Sequence, residues 1–192
     1  MKKDKLRLLR SRDKDTFEML VRENQENVYR IVFSVVNHEQ DAQDLAQEVF
    51  IKIYMSISSF RGNAALSTWI YKIAYNTAVD YCKKLNRRPA VRSIDSDDDP
   101  EIIYLRSARS ADPQDRFSEA EIRRDIAEAL AMLPDEQRQM VMLKDVYGFS
   151  YEQIALMTGI KAGTLKSRLS RGRSGVKNIL VKKWNNPYQK GV

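Results

Sequence analysis

Thr164, Lys166, Ser167, Arg168, Arg171 and Arg173 fall within ten residues of "GTLKSRLSRGRSG" (163–175), a stretch with four basic residues and no acidic one. A solvated surface helix ordinarily mixes both signs. The chemistry this set suits is binding to a polyanion. Arg and Lys can read guanine edges in a major groove, and Ser or Thr can bond to phosphates.

The elements that must position these side chains lie just before them. "SYEQIALMT" opens with a capping-box pattern, Ser150 with Gln153 three residues on. Gly159 makes a tight turn, and a second helix starts from Ile160. Ala155 is small enough to let the two helices pack closely, and Ile160 and Leu165 can anchor the second one in a core. This is a helix-turn-helix arrangement. It points to DNA without saying what is done there.

Charge is segregated along the 192 residues and their net +7. Residues 1–60 balance ten basic against ten acidic, 61–92 carry seven against one, 93–136 five against thirteen, and 137–192 eleven against two. Two nucleic-acid contacts joined by an acidic connector would produce that pattern. One cysteine, Cys82, excludes an internal disulfide framework, and one histidine, His38, leaves no metal-ligand set of usual spacing. No metal, no cofactor and no catalytic group is expected. With no P-loop, no paired His and Cys and no carboxylate cluster in a glycine-rich setting, an enzyme acting on DNA is disfavoured. No apolar run reaches the roughly 18 residues of a membrane span, and the N-terminus reads as no secretory signal, so a cytoplasmic location is expected.

Hydrophobic periodicity predicts an all-α chain. Phe17, Leu20, Val21, Val28, Ile31, Val32 and Val35 mark one helix face, and after "NHEQ" a second helix carries Ala42, Leu45, Ala46, Val49, Phe50 and Ile53. "SSFRGNAAL" reads as a loop. A third helix follows, with Ser67 or Thr68 as N-cap, and ends at "NRRP". Residues 89–116 are acidic and proline-containing and read as a flexible linker. Helical period returns at "FSEAEIRRDIAEALAML" and "DEQRQMVMLKDVY", the latter stopped by Gly148. Gly172 and Gly175 should each cost about 1 kcal/mol relative to Ala inside a helix. The last helix is therefore expected to be short or weak beyond Arg171, with Lys177, Lys182 and Lys183 outside the ordered contacts.

The run from "ALAMLPDEQ" through "GTLKSRLSRGR" resembles the C-terminal domain of bacterial sigma factors of the extracytoplasmic-function group of the sigma-70 family. "DAQDLAQEVFIKIY" and "FRGNAALSTWIYKIAYNTAVDYCKK" resemble that group's N-terminal domain. The resemblance spans residues 14–88 and 116–182, in the expected order. It implies domains at 1–88 and 117–192 joined by a linker at 89–116. It also implies a dissociable polymerase subunit, with the basic helix reading the −35 element and the N-terminal domain opening and reading the −10 element. The linker would thread towards the polymerase active centre.

By the same resemblance, the loop from Phe60, through Arg61, Gly62 and Asn63, forms a pocket for a flipped base, with Asn76 lining it. Lys72, Lys83, Lys84, Arg87 and Arg88 would meet phosphates. Primary sigma factors place two adjacent Trp residues at the melting position. This chain has Trp69 followed by Ile70, so Trp69 is read as a core or pocket-wall residue. Asp41, Asp44, Gln47 and Glu48 would dock on the clamp of core RNA polymerase, with its flap as a further contact. Promoter duplex, melted DNA and an anti-sigma factor complete the implied partners. A conventional helix-turn-helix activator or repressor with an N-terminal sensor domain is the alternative.

Overall fold

The computed structural model describes residues 2–62, 64–87 and 113–185. Eight α-helices and no strand are present among the described residues. They form two compact units.

The first unit holds α1 (Lys2–Arg10), α2 (Lys14–Val36), α3 (Glu39–Ser56) and α4 (Leu66–Arg87), together with the segment Leu143–Ala162, which contains α7 (Tyr151–Thr158). Asp13 caps α2, accepting from the Thr16 N–H at 2.9 Å and the Thr16 hydroxyl at 2.6 Å. Those two bonds hold the Asp13 carboxyl below its ordinary range. Asn37, in the left-handed region at φ 53°, ends α2, and His38 caps α3 by accepting from the Asp41 N–H at 3.3 Å. "NHEQ" thus breaks the helix over only two residues, since Glu39 and Gln40 already belong to α3.

Leu20, Val28, Ile31, Val32, Ala42, Leu45, Val49, Ile53, Ile70 and Ala74 are buried in this unit. Phe17, Val21, Val35, Ala46 and Phe50 are only half-buried, at the edges of their stripes. α4 begins at Leu66, ahead of Ser67 and Thr68, so neither is its N-cap. α4 packs against α2, α3 and α7. Phe149, just before α7, stands edge-on to Tyr71 of α4 with ring centroids 5.6 Å apart. The Tyr71 hydroxyl accepts from Asn27 of α2 at 2.9 Å.

The second unit holds α5 (Pro113–Ala131), α6 (Asp135–Val141) and α8 (Ala162–Trp184) from Gly163 onward. The linker reading falls mainly on residues outside those described. Pro113 to Arg116 already form the first turn of α5, where proline is tolerated because its missing N–H would be unpaired anyway. The helix expected over residues 135–147 is shorter. α6 ends at Val141 and passes into a π-helical turn, Met142–Val146. There the Leu143 carbonyl accepts from the Phe149 N–H at 3.0 Å, across Gly148 at φ 74°.

α8 corrects the expectation of a helix weak beyond Arg171. It continues unbroken to Trp184 because its glycines serve close packing. Gly172 faces Val141 and Gln137 of α6, and Gly175 faces Leu133. The far end is locked as well. Lys183 donates to Asp125 at 2.6 Å and also to Glu128, and Trp184 Nε1 donates to Asp125 at 2.6 Å. Lys183, expected outside the ordered contacts, is therefore a fixed ion-pair partner.

Candidate nucleic-acid interface

α4 brings Trp69, Lys72, Asn76 and Lys83 together. At 3.6 residues per turn they fall within an arc of about 60°. Ile70, Tyr71, Ala74, Thr77 and Ala78 on the other side are buried. The stripe from Trp69 to Lys83 is about 21 Å long at 1.5 Å rise per residue. Lys72, Asn76, Lys83 and Lys84 are exposed, and Lys84 stands about 60° beyond the Trp69 edge of the stripe. Lys83 is 3.6 Å from Asp80, a surface pair worth little against a phosphate. Side-chain placement at Arg87, and all of Arg88, lies outside the described residues.

The loop enters this stripe through an aromatic contact. Phe60 is buried and packs on Trp69 at 5.2 Å between centroids. Trp69 is half-buried, which fits a pocket wall rather than a free wedge. Arg61 and Gly62 are exposed, with Gly62 at φ 79°, and Asn63 lies outside the described residues.

The second cationic element is α8. Ser150 and Gln153 form a full capping box ahead of α7, at 3.1 and 2.8 Å, and Gly159 ends α7 at φ 72°. The Ile160 N–H then donates to the Thr158 hydroxyl at 3.2 Å, which delays the start of α8 to Ala162. Leu165 and Leu169 are buried, whereas Ile160 is half-buried. Thr164, Lys166, Arg171 and Arg173 are exposed. Lys166 and Arg171 lie about 140° apart around the helix and bracket its outward face. Ser167 is half-buried and donates to the Thr164 carbonyl at 2.9 Å. Arg168 is half-buried and paired with Glu136 of α6 at 2.8 Å, so it must exchange a carboxylate for any phosphate.

On α3, Asp44, Gln47 and Glu48 are exposed on one face, and Glu48 pairs with Lys52 at 2.7 Å. Asp41 is half-buried in the first turn beside His38, where its charge favours the helix N-terminus. Two residues on this face escaped the sequence reading. Ile51 and Met55 are 60% and 64% exposed and extend the Asp44–Glu48 face by two turns. Ile51 lies four and three residues beyond Gln47 and Glu48, and Met55 four beyond Ile51, and that spacing was the available signal.

Among the described residues, which hold helices and no strand, one unit carries a cationic stripe beside an aromatic-walled loop and the other a cationic helix, an arrangement whose chemistry suits nucleic-acid binding. Comparison with known proteins narrows the class. Residues 20–88 match sigma-70 region 2, and residues 123–174 match sigma-70 region 4. The chain is 35% identical to the ECF RNA polymerase sigma-E factor of Haemophilus influenzae over 167 residues, covering 86% of this chain and 88% of the relative. It is 32% identical to the RNA polymerase sigma-H factor of Pseudomonas aeruginosa over 169 residues, covering 88% of each. Among solved structures it is similar to the sigma factor RpoE in complex with the anti-sigma factor NepR from Bartonella quintana. That match has TM-score 0.61 and 25% identity over 85% of this chain and 96% of the other. CnrH in complex with the cytosolic domain of CnrY shares the fold at TM-score 0.62, with 18% identity over 93% of this chain and 96% of that one.

The chain belongs to the extracytoplasmic-function group of the sigma-70 family, the non-catalytic initiation factors that bind core RNA polymerase and direct it to promoters. Region 2 accounts for residues 20–88, which leaves no sensor domain to assign there, so a conventional regulator is not favoured. No helix among the described residues is long and apolar enough to cross a membrane.

Proposed function

We propose that this sigma factor reads −10 DNA with the α4 stripe and the Phe60–Leu66 loop, and −35 DNA with the outward face of α8. The observation that carries this reading is the alignment of Trp69, Lys72, Asn76 and Lys83 beside that loop. A base flipped from the non-template strand would stack near Phe60 and Trp69 and meet Asn76, while Lys72, Lys83 and Lys84 hold the backbone. On α8, Lys166 and Arg171 take the base edges. Thr164, Ser167, Arg168 and Arg173 take phosphates.

Asp44, Gln47 and Glu48, with Asp41 at their edge, dock on the polymerase clamp, and the C-terminal domain meets the flap. Residues 1–88 and 117–192 act as separate domains once bound to polymerase and promoter, where α7 leaves its packing on α4, with 89–116 as the connector. The protein works in the cytoplasm, has no catalytic group of its own, and is held by an anti-sigma factor, a reading supported by the partner of the RpoE complex. The test is promoter binding with and without core polymerase. Sequence-specific binding should require polymerase. Equally specific binding by the isolated chain would favour a stand-alone regulator.

A further inference from the structure

The first helix lies outside both matched regions, yet it reaches the loop that meets melted DNA. α1 is held to α2 by Lys5, whose ammonium donates to both Glu23 carboxylate oxygens at 2.8 Å, and by Leu9, which is fully buried. It ends in a Schellman motif. The Asp13 N–H bonds to the Leu8 carbonyl, and the Arg12 N–H bonds to the Leu9 carbonyl, both at 3.0 Å. Arg12 occupies the left-handed position at φ 60°, where glycine would sit without cost. Its side chain has a use there. The guanidinium lies 5.3 Å from the Tyr54 ring centroid, and Nη2 donates to the Met55 carbonyl at 3.4 Å.

Arg10 reaches further. Its Nη2 donates to the Phe60 carbonyl at 2.6 Å. Phe60 closes the 3-10 turn Ile57–Ser59 and opens the loop, and its own N–H is already bonded to the Ile57 carbonyl. The last carbonyls of a helix lack intrahelical donors and need partners from elsewhere. Here two cations supply them, at the end of α3 and at the mouth of the loop. The Phe60 ring is fixed on its other side by Trp69.

We infer that Arg10, seconded by Arg12, is a positioning residue for −10 recognition: it sets the entry of the 60–66 loop, so that α1 is part of the base-reading apparatus. This rests on the proposed role of that loop. Arg10 touches no DNA in this account and acts through the Phe60 carbonyl.

The experiment compares wild type, Arg10→Ala, Arg10→Lys and Asn76→Ala as full chains with core polymerase. Three quantities are measured: polymerase affinity by fluorescence titration, thermal midpoint, and permanganate-reactive open complex. The last is read on a cognate promoter and on one with the flipped −10 base changed. Arg10→Ala should lower the cognate-to-changed ratio about tenfold, the scale of one charge-assisted hydrogen bond. Polymerase affinity should be unchanged, and Arg10→Lys should recover much of the ratio. A wild-type ratio for Arg10→Ala alongside a lowered ratio for Asn76→Ala would overturn the inference and spare the loop. A wild-type ratio for both variants would overturn the loop reading and the inference with it. An equal fall in thermal midpoint, polymerase affinity and opening, with no recovery by Lys, would make α1 a structural brace and also overturn it.

Discussion

A Cβ placed on Gly172 of α8 would stand 2.7 Å from Val141 Cγ2 and 3.1 Å from the Gln137 carbonyl oxygen of α6. The backbones of the two helices approach there as only glycine permits. Helix propensity alone favours Gly172→Ala by about 1 kcal/mol. Overpacking against a β-branched side chain and a helix carbonyl opposes it by about 1–3 kcal/mol. Gly172→Ala should therefore lower the thermal midpoint. Gly175→Ala should be milder, because the atom it meets at 2.5 Å is the terminal Cδ2 of Leu133, which can turn away. Thermal melts of the two variants check this ordering, and the reverse order would contradict it.

Those two glycines show where sequence reading stops. Their cost could be read from propensity, but their purpose lies in α6 and in Leu133 just ahead of it, more than thirty residues away. The capping box of Ser150 and Gln153 and the turn at Gly159 were legible because each is decided within a few residues. Asn76 and the loop beside it were legible only through the family resemblance, and the start of α4 at Leu66 lay ahead of the expected cap at Ser67 or Thr68. Arg10 and Arg12 were not legible, since their partners at Phe60 and Met55 lie 50 and 43 residues on. The π-helical turn at Met142–Val146 left no sign in a run that reads as continuous helix.

The C-terminal lock should be pH-dependent. Burial works to raise the Asp125 carboxyl, but hydrogen bonds from Lys183 and Trp184 and the charges of Lys183 and Arg124 outweigh it, so its pKa lies below the ordinary 3.8. Hydrogen bonds to Asp125 and Glu128 raise Lys183 above 10.5. A depressed carboxylate stabilises above its unfolded pKa, and the gain is lost as pH falls through the folded value. A raised lysine stabilises below its unfolded pKa, and that gain is lost as pH rises through the folded value. The lock should thus be strongest from weakly acidic to weakly basic pH. The difference in thermal midpoint between wild type and Asp125→Asn should shrink between about pH 7 and about pH 3. A constant difference would count against the ion pair.

On duplex DNA, Lys166→Ala and Arg171→Ala should each cost about 1–3 kcal/mol at the −35 element and relax base preference there. Arg173→Ala should weaken all sequences alike and reduce the salt slope by about one. Because Glu136 competes for Arg168, Glu136→Gln should strengthen binding at low salt, and adding Arg168→Ala should erase that gain. Holoenzyme binding titrated against salt on matched and mismatched promoters separates these effects. Unchanged base preference in Arg171→Ala would remove that residue from the reading set.

At the proposed polymerase face, Asp44→Arg reverses the charge of an acidic patch that would meet a basic clamp surface, and should cost several kcal/mol of core binding with helical content unchanged. Ile51→Ser and Met55→Ser should weaken core binding while leaving thermal stability close to wild type, since both side chains are already in water. Titration of labelled core polymerase, paired with circular dichroism, tests this. Full affinity in all three variants would place the clamp contact elsewhere.

The most direct test of the central claim is run-off transcription by core polymerase plus this chain on a library of promoters varied at both elements. Transcripts should appear only when the chain is present, from templates sharing one −35 and one −10 sequence. Asn76→Ala should reduce dependence on the −10 bases, and Arg171→Ala dependence on the −35 bases. Transcription that ignores either element, or variants whose base dependence moves at the opposite element, would contradict it.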